Sequence, residues 1–121
     1  MGSTGWAIIV KSANQGGGCR WCRSTDVTIR KNIIRNAGAG INVAARGDNP
    51  ATDTTARRVL ISEVVMDNIN VAPYTGDGRG VMLLNETYNV TVERTVMAGS
   101  LQASMMLDKG IGSPNAIFRD N

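Results

Sequence analysis

Residues 26–43 read DVTIRKNIIRNAGAGINV. Apolar side chains fall at Val27, Ile29 and Ile34, and again at Ile41 and Val43, so two short alternating runs are joined by Asn and Gly. Alternation with period 2 predicts strands with one buried face. The phrase returns as RVLISEVVMDN from Arg58, as NVTVERTVMAG from Asn89 and as NAIFRDN from Asn115.

The recurrence keeps its register. Val27, Val59, Val90 and Ala116 are 32, 31 and 26 residues apart. Ile29, Ile61, Val92 and Phe118 share the next inward offset, and Ile34, Met66 and Met97 a later one. Asn36, Asn68 and Gly99 share the offset at which the chain must turn, and these residues tolerate a left-handed backbone. A second strand recurs as Ile8/Val10, Ile41/Val43, Val81/Leu83 and Met105/Leu107. Length varies only in the polar, Gly- and Pro-containing excursions at about 12–25, 46–57 and 71–80.

A fixed unit with variable insertions is the mark of a solenoid, in which no unit buries its apolar face alone. Stacking puts like on like, with adjacent strands about 4.8 Å apart. The expected fold is all-β: a right-handed parallel solenoid of about four partial coils, a single unit over 1–121. Inward positions are Val27, Ile29, Ile34, Ile41, Val43, Val59, Ile61, Met66, Val81, Leu83, Val90, Val92, Met97 and Leu107, whereas Thr28, Leu60 and Thr91 point outward. A β-sandwich of short strands is the rival, but its strands need not resemble one another.

Composition agrees. The 121 residues leave room for one domain, aromatics are 4%, and Val, Ile, Thr, Asn and 14 glycines favour strands and turns. The net charge of +3 is scattered, with Arg57-Arg58 and Arg30-Lys31 the only adjacent basic pairs. A nucleic-acid footprint needs a clustered patch, so no nucleic-acid partner is expected. No apolar run approaches the ~18 residues of a membrane span, and the start MGSTGWAIIVK lacks the basic and apolar regions of a signal peptide.

The unit DVTIRKNIIRNAGAGINV resembles the coil of right-handed parallel β-helix proteins, the superfamily of pectate lyases and polygalacturonases. KSANQGGGCRWC followed by DVTIR is similar to large secreted bacterial β-helix repeat proteins. The resemblance implies a β-helix, a carbohydrate-associated role and a secreted or cell-surface location. Such helices have more coils and capped ends, so the chain reads as a fragment of a longer helix. The family's catalytic residues do not carry over. No Arg-x-Pro-x-x-Arg motif is present, and the chain has no His for a Gly-His-Gly.

Cys19-Arg20-Trp21-Cys22 lacks the second pair of a zinc ribbon and the βαβ context of a thioredoxin-like site. It is either a local disulfide between Cys19 and Cys22 or two free thiols, and a secreted family favours the disulfide. No metal site is expected. Gly76-Asp77-Gly78-Arg79-Gly80 lacks the Lys-Ser/Thr of a phosphate loop. Asn85-Glu86-Thr87 and Asn89-Val90-Thr91 match the glycosylation sequon, which carries little meaning in a bacterial protein.

The functional candidate is positional. Polar residues follow the second strand of each unit: Lys11, then Arg46 and Asp48, then Asn85 and Glu86, then Asp108 and Lys109. Asp77 and Arg79 precede one of those strands. Stacked along one edge, these charges would hydrogen-bond a sugar chain or an acidic polysaccharide; their bland alternative is a solvated rim. Three functions compete: a non-catalytic segment that binds or presents polysaccharide, part of a polysaccharide lyase, and a structural stalk or adhesin module. Only the lyase would call for a cofactor, Ca²⁺, which needs six or more oxygen ligands. Uncapped coils also predict end-to-end self-association.

Overall fold

The computed structural model of the protein describes residues 2–12, 22–44, 56–84, 87–108 and 115–121. Ten strands follow in order: β1 (Ser3–Lys11), β2 (Thr25–Arg30), β3 (Ile33–Ala44), β4 (Arg57–Ser62), β5 (Val65–Ile69), β6 (Arg79–Leu84), β7 (Tyr88–Glu93), β8 (Val96–Gly99), β9 (Ala103–Asp108) and β10 (Ile117–Arg119). The described residues contain no helix.

Every strand pairing is parallel, and the pairs join residues one repeat apart. A first row runs β2-β4-β7-β10. Its register sets Val27 beside Val59 beside Val90, and Ile29 beside Ile61 beside Val92 beside Phe118. A second row joins the first half of β3 to β5 and β8, with Ile34 beside Met66 beside Met97. A third row runs from β1 through the second half of β3 to β6 and β9. There Ile8, Ile41, Val81 and Met105 align, as do Val10, Val43, Leu83 and Leu107.

β3 serves two rows because it bends without breaking. The sequence pattern predicts a turn between two strands there, yet Asn36 makes the bend alone at φ 58°. Asn68 repeats it at φ 57° and Gly99 at φ 142°. Two further left-handed positions recur at fixed offsets: Asp26, Arg58, Asn89 and Asn115 at the start of the first row, and Lys31, Glu63, Arg94 and Asp120 at its end. Three of the second set donate their backbone N–H to the carbonyl one repeat on: Lys31 to Ser62, Glu63 to Glu93 and Arg94 to Arg119. The bends thus stay within the hydrogen-bonded ladder, as buried backbone requires.

The core lies among the three rows. Ile41, Ile61, Met66, Ile69, Val81, Leu83 and Val92 are wholly buried. Val27 and Met97 are half-buried. Leu107, in the predicted inward set, faces the same way as its register partner Leu83 but is 58% exposed; among the described residues β9 is an edge strand. Leu60, predicted to point outward, is half-buried. The strands also trim the predicted excursions, since β2 begins at Thr25, β4 at Arg57 and β6 at Arg79.

Candidate functional site

The segment between β5 and β6 is where the described surface gathers an acid, a base and two aromatics. Asn70, at φ 57°, shapes the segment from within. Its Oδ1 accepts from the Gly76 N–H at 2.9 Å, and its Nδ2 donates to the Ser100 carbonyl at 2.7 Å. Gly78 anchors the far end: its N–H donates to Gly38 and its carbonyl accepts from Gln102. Gly78 holds φ 64°, a conformation strained for most side chains. Gly76 lies directly against the Thr4 carbonyl and Gly38, so any side chain there would force the segment off β1 and β3. The segment is therefore tied to the units before and after it.

That frame presents Asp77. Its Oδ2 accepts from Trp6 Nε1 at 3.0 Å, and Arg79 Nη1 lies 3.7 Å from its Oδ1. Trp6 comes from β1, beside an irregularity in the β1–β3 register between Ser3 and Trp6. The Tyr74 ring lies over Gly2. Trp6, Tyr74 and Arg79 are half-buried and Asp77 is exposed. A fixed indole edge, a carboxylate and a guanidinium thus share one surface region with a second aromatic ring.

Elsewhere the charges pair across the repeat. Arg58 makes a two-pronged contact with Asp26, at 2.6 and 2.7 Å. That contact holds the Asp26 carboxyl below its ordinary range and raises the Arg58 guanidinium. Glu63 takes Arg30 at 2.8 Å, with Lys31 and Arg94 within 4 Å. The Arg30 hydrogen bonds are the main reason its pKa is lowered, against a smaller opposing cost of burial. Glu93, only 5% exposed, is held by Arg119, Arg94 and Ser62. Its pKa is lowered chiefly by the Arg119 hydrogen bond, with desolvation opposing. Asn68 donates to Asn36 Oδ1 at 2.6 Å and Asn115 to Asn89 Oδ1 at 2.9 Å.

Of the residues singled out in the sequence, Asp77 and Arg79 are brought together. Lys11 is exposed at the end of β1. Its column runs through Ala44 and Leu84 to Asp108, so apolar residues separate these two charged positions. Arg46, Asp48, Glu86 and Lys109 lie outside the described residues. Cys22 is disulfide-bonded, and Cys19 lies outside the described residues. Sequence reasoning misses Trp6 and Tyr74. The signal available is their rarity, with two Trp and two Tyr in the whole chain. It also misses the ion-pair columns, which are found by reading the charges at each repeat offset.

Among the described residues, no three His, Cys, Asp or Glu side chains are grouped to hold a metal, and no helix is long and apolar enough to cross a membrane. Comparison with protein-family models, with curated proteins and with solved structures finds no match.

Proposed function

We propose that the chain is a right-handed parallel β-helix segment of a secreted or cell-surface protein and that it binds polysaccharide without catalysis. The carrying observation is the Trp6–Asp77–Arg79 cluster beside Tyr74. Aromatic faces pack against the C–H faces of pyranose rings, and their polar edges stay wet. A carboxylate accepts from sugar hydroxyls, and a guanidinium pairs with hydroxyls or with a uronate carboxylate. Anchoring the segment through Asn70 and Gly78 reduces the ordering cost of binding. A repeating fold suits a repeating ligand, because a chain can run along successive units.

Affinity electrophoresis in gels containing polygalacturonate, or a neutral glucan, tests the reading. The wild type is expected to be retarded by polysaccharide, and Trp6→Ala and Asp77→Asn to lose most of that retardation. Wild-type mobility unchanged in every gel, or variants retarded like the wild type, would overturn it. A second reading, a structural stalk, is favoured by the ion-pair columns. Arg30, Arg58, Arg94 and Arg119 each pair with a carboxylate of a neighbouring unit. An unretarded wild type would support that reading.

A further inference from the structure

We infer that the surface at Trp6, Asp77 and Arg79 takes a chain of neutral sugars and excludes polyuronates. The inference rests on the polysaccharide reading and names the ligand class of that same site. What decides between the two classes is the charge an incoming chain meets. In the Asp77–Arg79 pair the carboxylate is the outer partner: its side chain is 54% exposed and that of Arg79 is 27%. The groups that hold the segment around this pair, among them Thr4, Asn70 and Gln102, are neutral.

The carboxylate is fixed in place. Trp6 Nε1 donates to its Oδ2 at 3.0 Å, so Asp77 does not swing aside without losing that bond. Its Oδ1 stands 3.7 Å from Arg79 Nη1, which is an ion pair too wide for a direct hydrogen bond. Oδ1 therefore keeps acceptor capacity on the side toward the guanidinium.

A sugar hydroxyl suits that gap. It is both donor and acceptor, so one hydroxyl donates to Asp77 Oδ1 while its oxygen accepts from the guanidinium. The ion pair then stays in place with a polar group bridging it. A uronate carboxylate has no hydrogen to give. It accepts from Arg79 but offers Asp77 nothing, and it brings a second negative charge beside the first. Like charges at close range oppose binding. The chain's net charge of +3 draws a polyanion at low salt, whereas at about 0.15 M salt charges beyond about 8 Å are screened. At that salt the pair itself sets the choice.

Isothermal titration calorimetry at about 0.15 M salt tests this, with neutral gluco-, xylo- and manno-oligosaccharides against an oligogalacturonate of matched length. The wild type is expected to bind at least one neutral chain more tightly than the oligogalacturonate, by about tenfold or more. Asp77→Asn is expected to weaken the neutral chain and to raise affinity for the oligogalacturonate, because the Asn amide carries no charge and Arg79 is left to face the uronate. Adding Arg79→Gln to Asp77→Asn is expected to remove that gain. Urea midpoints close to that of the wild type show that both variants are folded, and the wild-type comparison needs neither variant. A wild type that binds the oligogalacturonate as tightly as every neutral chain would overturn the inference and leave the polysaccharide reading standing. So would a folded Asp77→Asn variant with no gain for the oligogalacturonate. A wild type that binds neither class would overturn both.

Discussion

Leu83 and Leu107 are register partners in neighbouring strands of one row, with the same side chain pointing the same way. Leu83 is wholly buried and Leu107 is 58% exposed. The sequence pattern around them is the same alternation. What separates them, among the described residues, is a strand on both sides of β6 and on one side only of β9. Between β6 and β9 burial follows the flanking strand, but a flanking strand is not the only cover: Val10, on the outer strand β1 of the same row, is only 7% exposed. The interior of the stack and its last unit should therefore respond differently to equivalent substitutions.

The largest effect is expected at the interior. Ile61 has Ile29 and Val92 beside it and no exposure. Ile61→Asp leaves a carboxylate among apolar neighbours, costing several kcal/mol unless the group takes up a proton. The chain should fail to give a cooperative urea transition. Leu60→Asp, on the half-buried outer side, should keep one. Equal loss in both would mean that the face assignment is reversed, since a one-residue slip exchanges the two faces.

Leu83→Ala comes next. Removing a side chain with neighbours on every side costs about 2–5 kcal/mol, the spread depending on how far the surroundings collapse. The urea midpoint should fall with little change in slope.

The pairing register, the bend residues and most of the interior are legible in the repeat offsets alone. Each inward position is constrained by the positions above and below it, so one pattern is stated several times. Leu107 and the bend at Asn36 are the exceptions within the fold. Offsets do not say which unit is last, and a left-handed residue can turn a strand without ending it. The surface is less legible. Asp77 is visible as a charge in a Gly-rich excursion, but its hydrogen bond to Trp6 joins residues 71 apart. That contact depends on how one irregular segment folds over β1, and no periodicity encodes it.

A smaller, graded effect is expected from acid. Asp26, Glu63 and Glu93 all have carboxyl groups held below their ordinary values of 3.8 and 4.5. Because the folded pKa is the lower one, their contribution is fully present above the unfolded value. It is lost as pH falls through the folded value. Stability should hold down to about pH 4.5 and decline below it. Glu93→Gln should lower stability at neutral pH and flatten the acid decline, because Arg119 and Arg94 lose the charge they share. An unchanged acid slope in that variant would show that the Glu93 cluster does not report on folding.

Leu107→Ala should have the smallest effect. Its side chain is mostly in water in the single chain, so truncation removes little buried area and should change stability by less than about 0.5 kcal/mol in dilute solution. The contrast with Leu83→Ala isolates the contribution of a covering strand, because residue type, row and column are held constant. A large loss at low concentration would show that Leu107 is already covered within the single chain, and the difference between the interior and the last unit would then disappear.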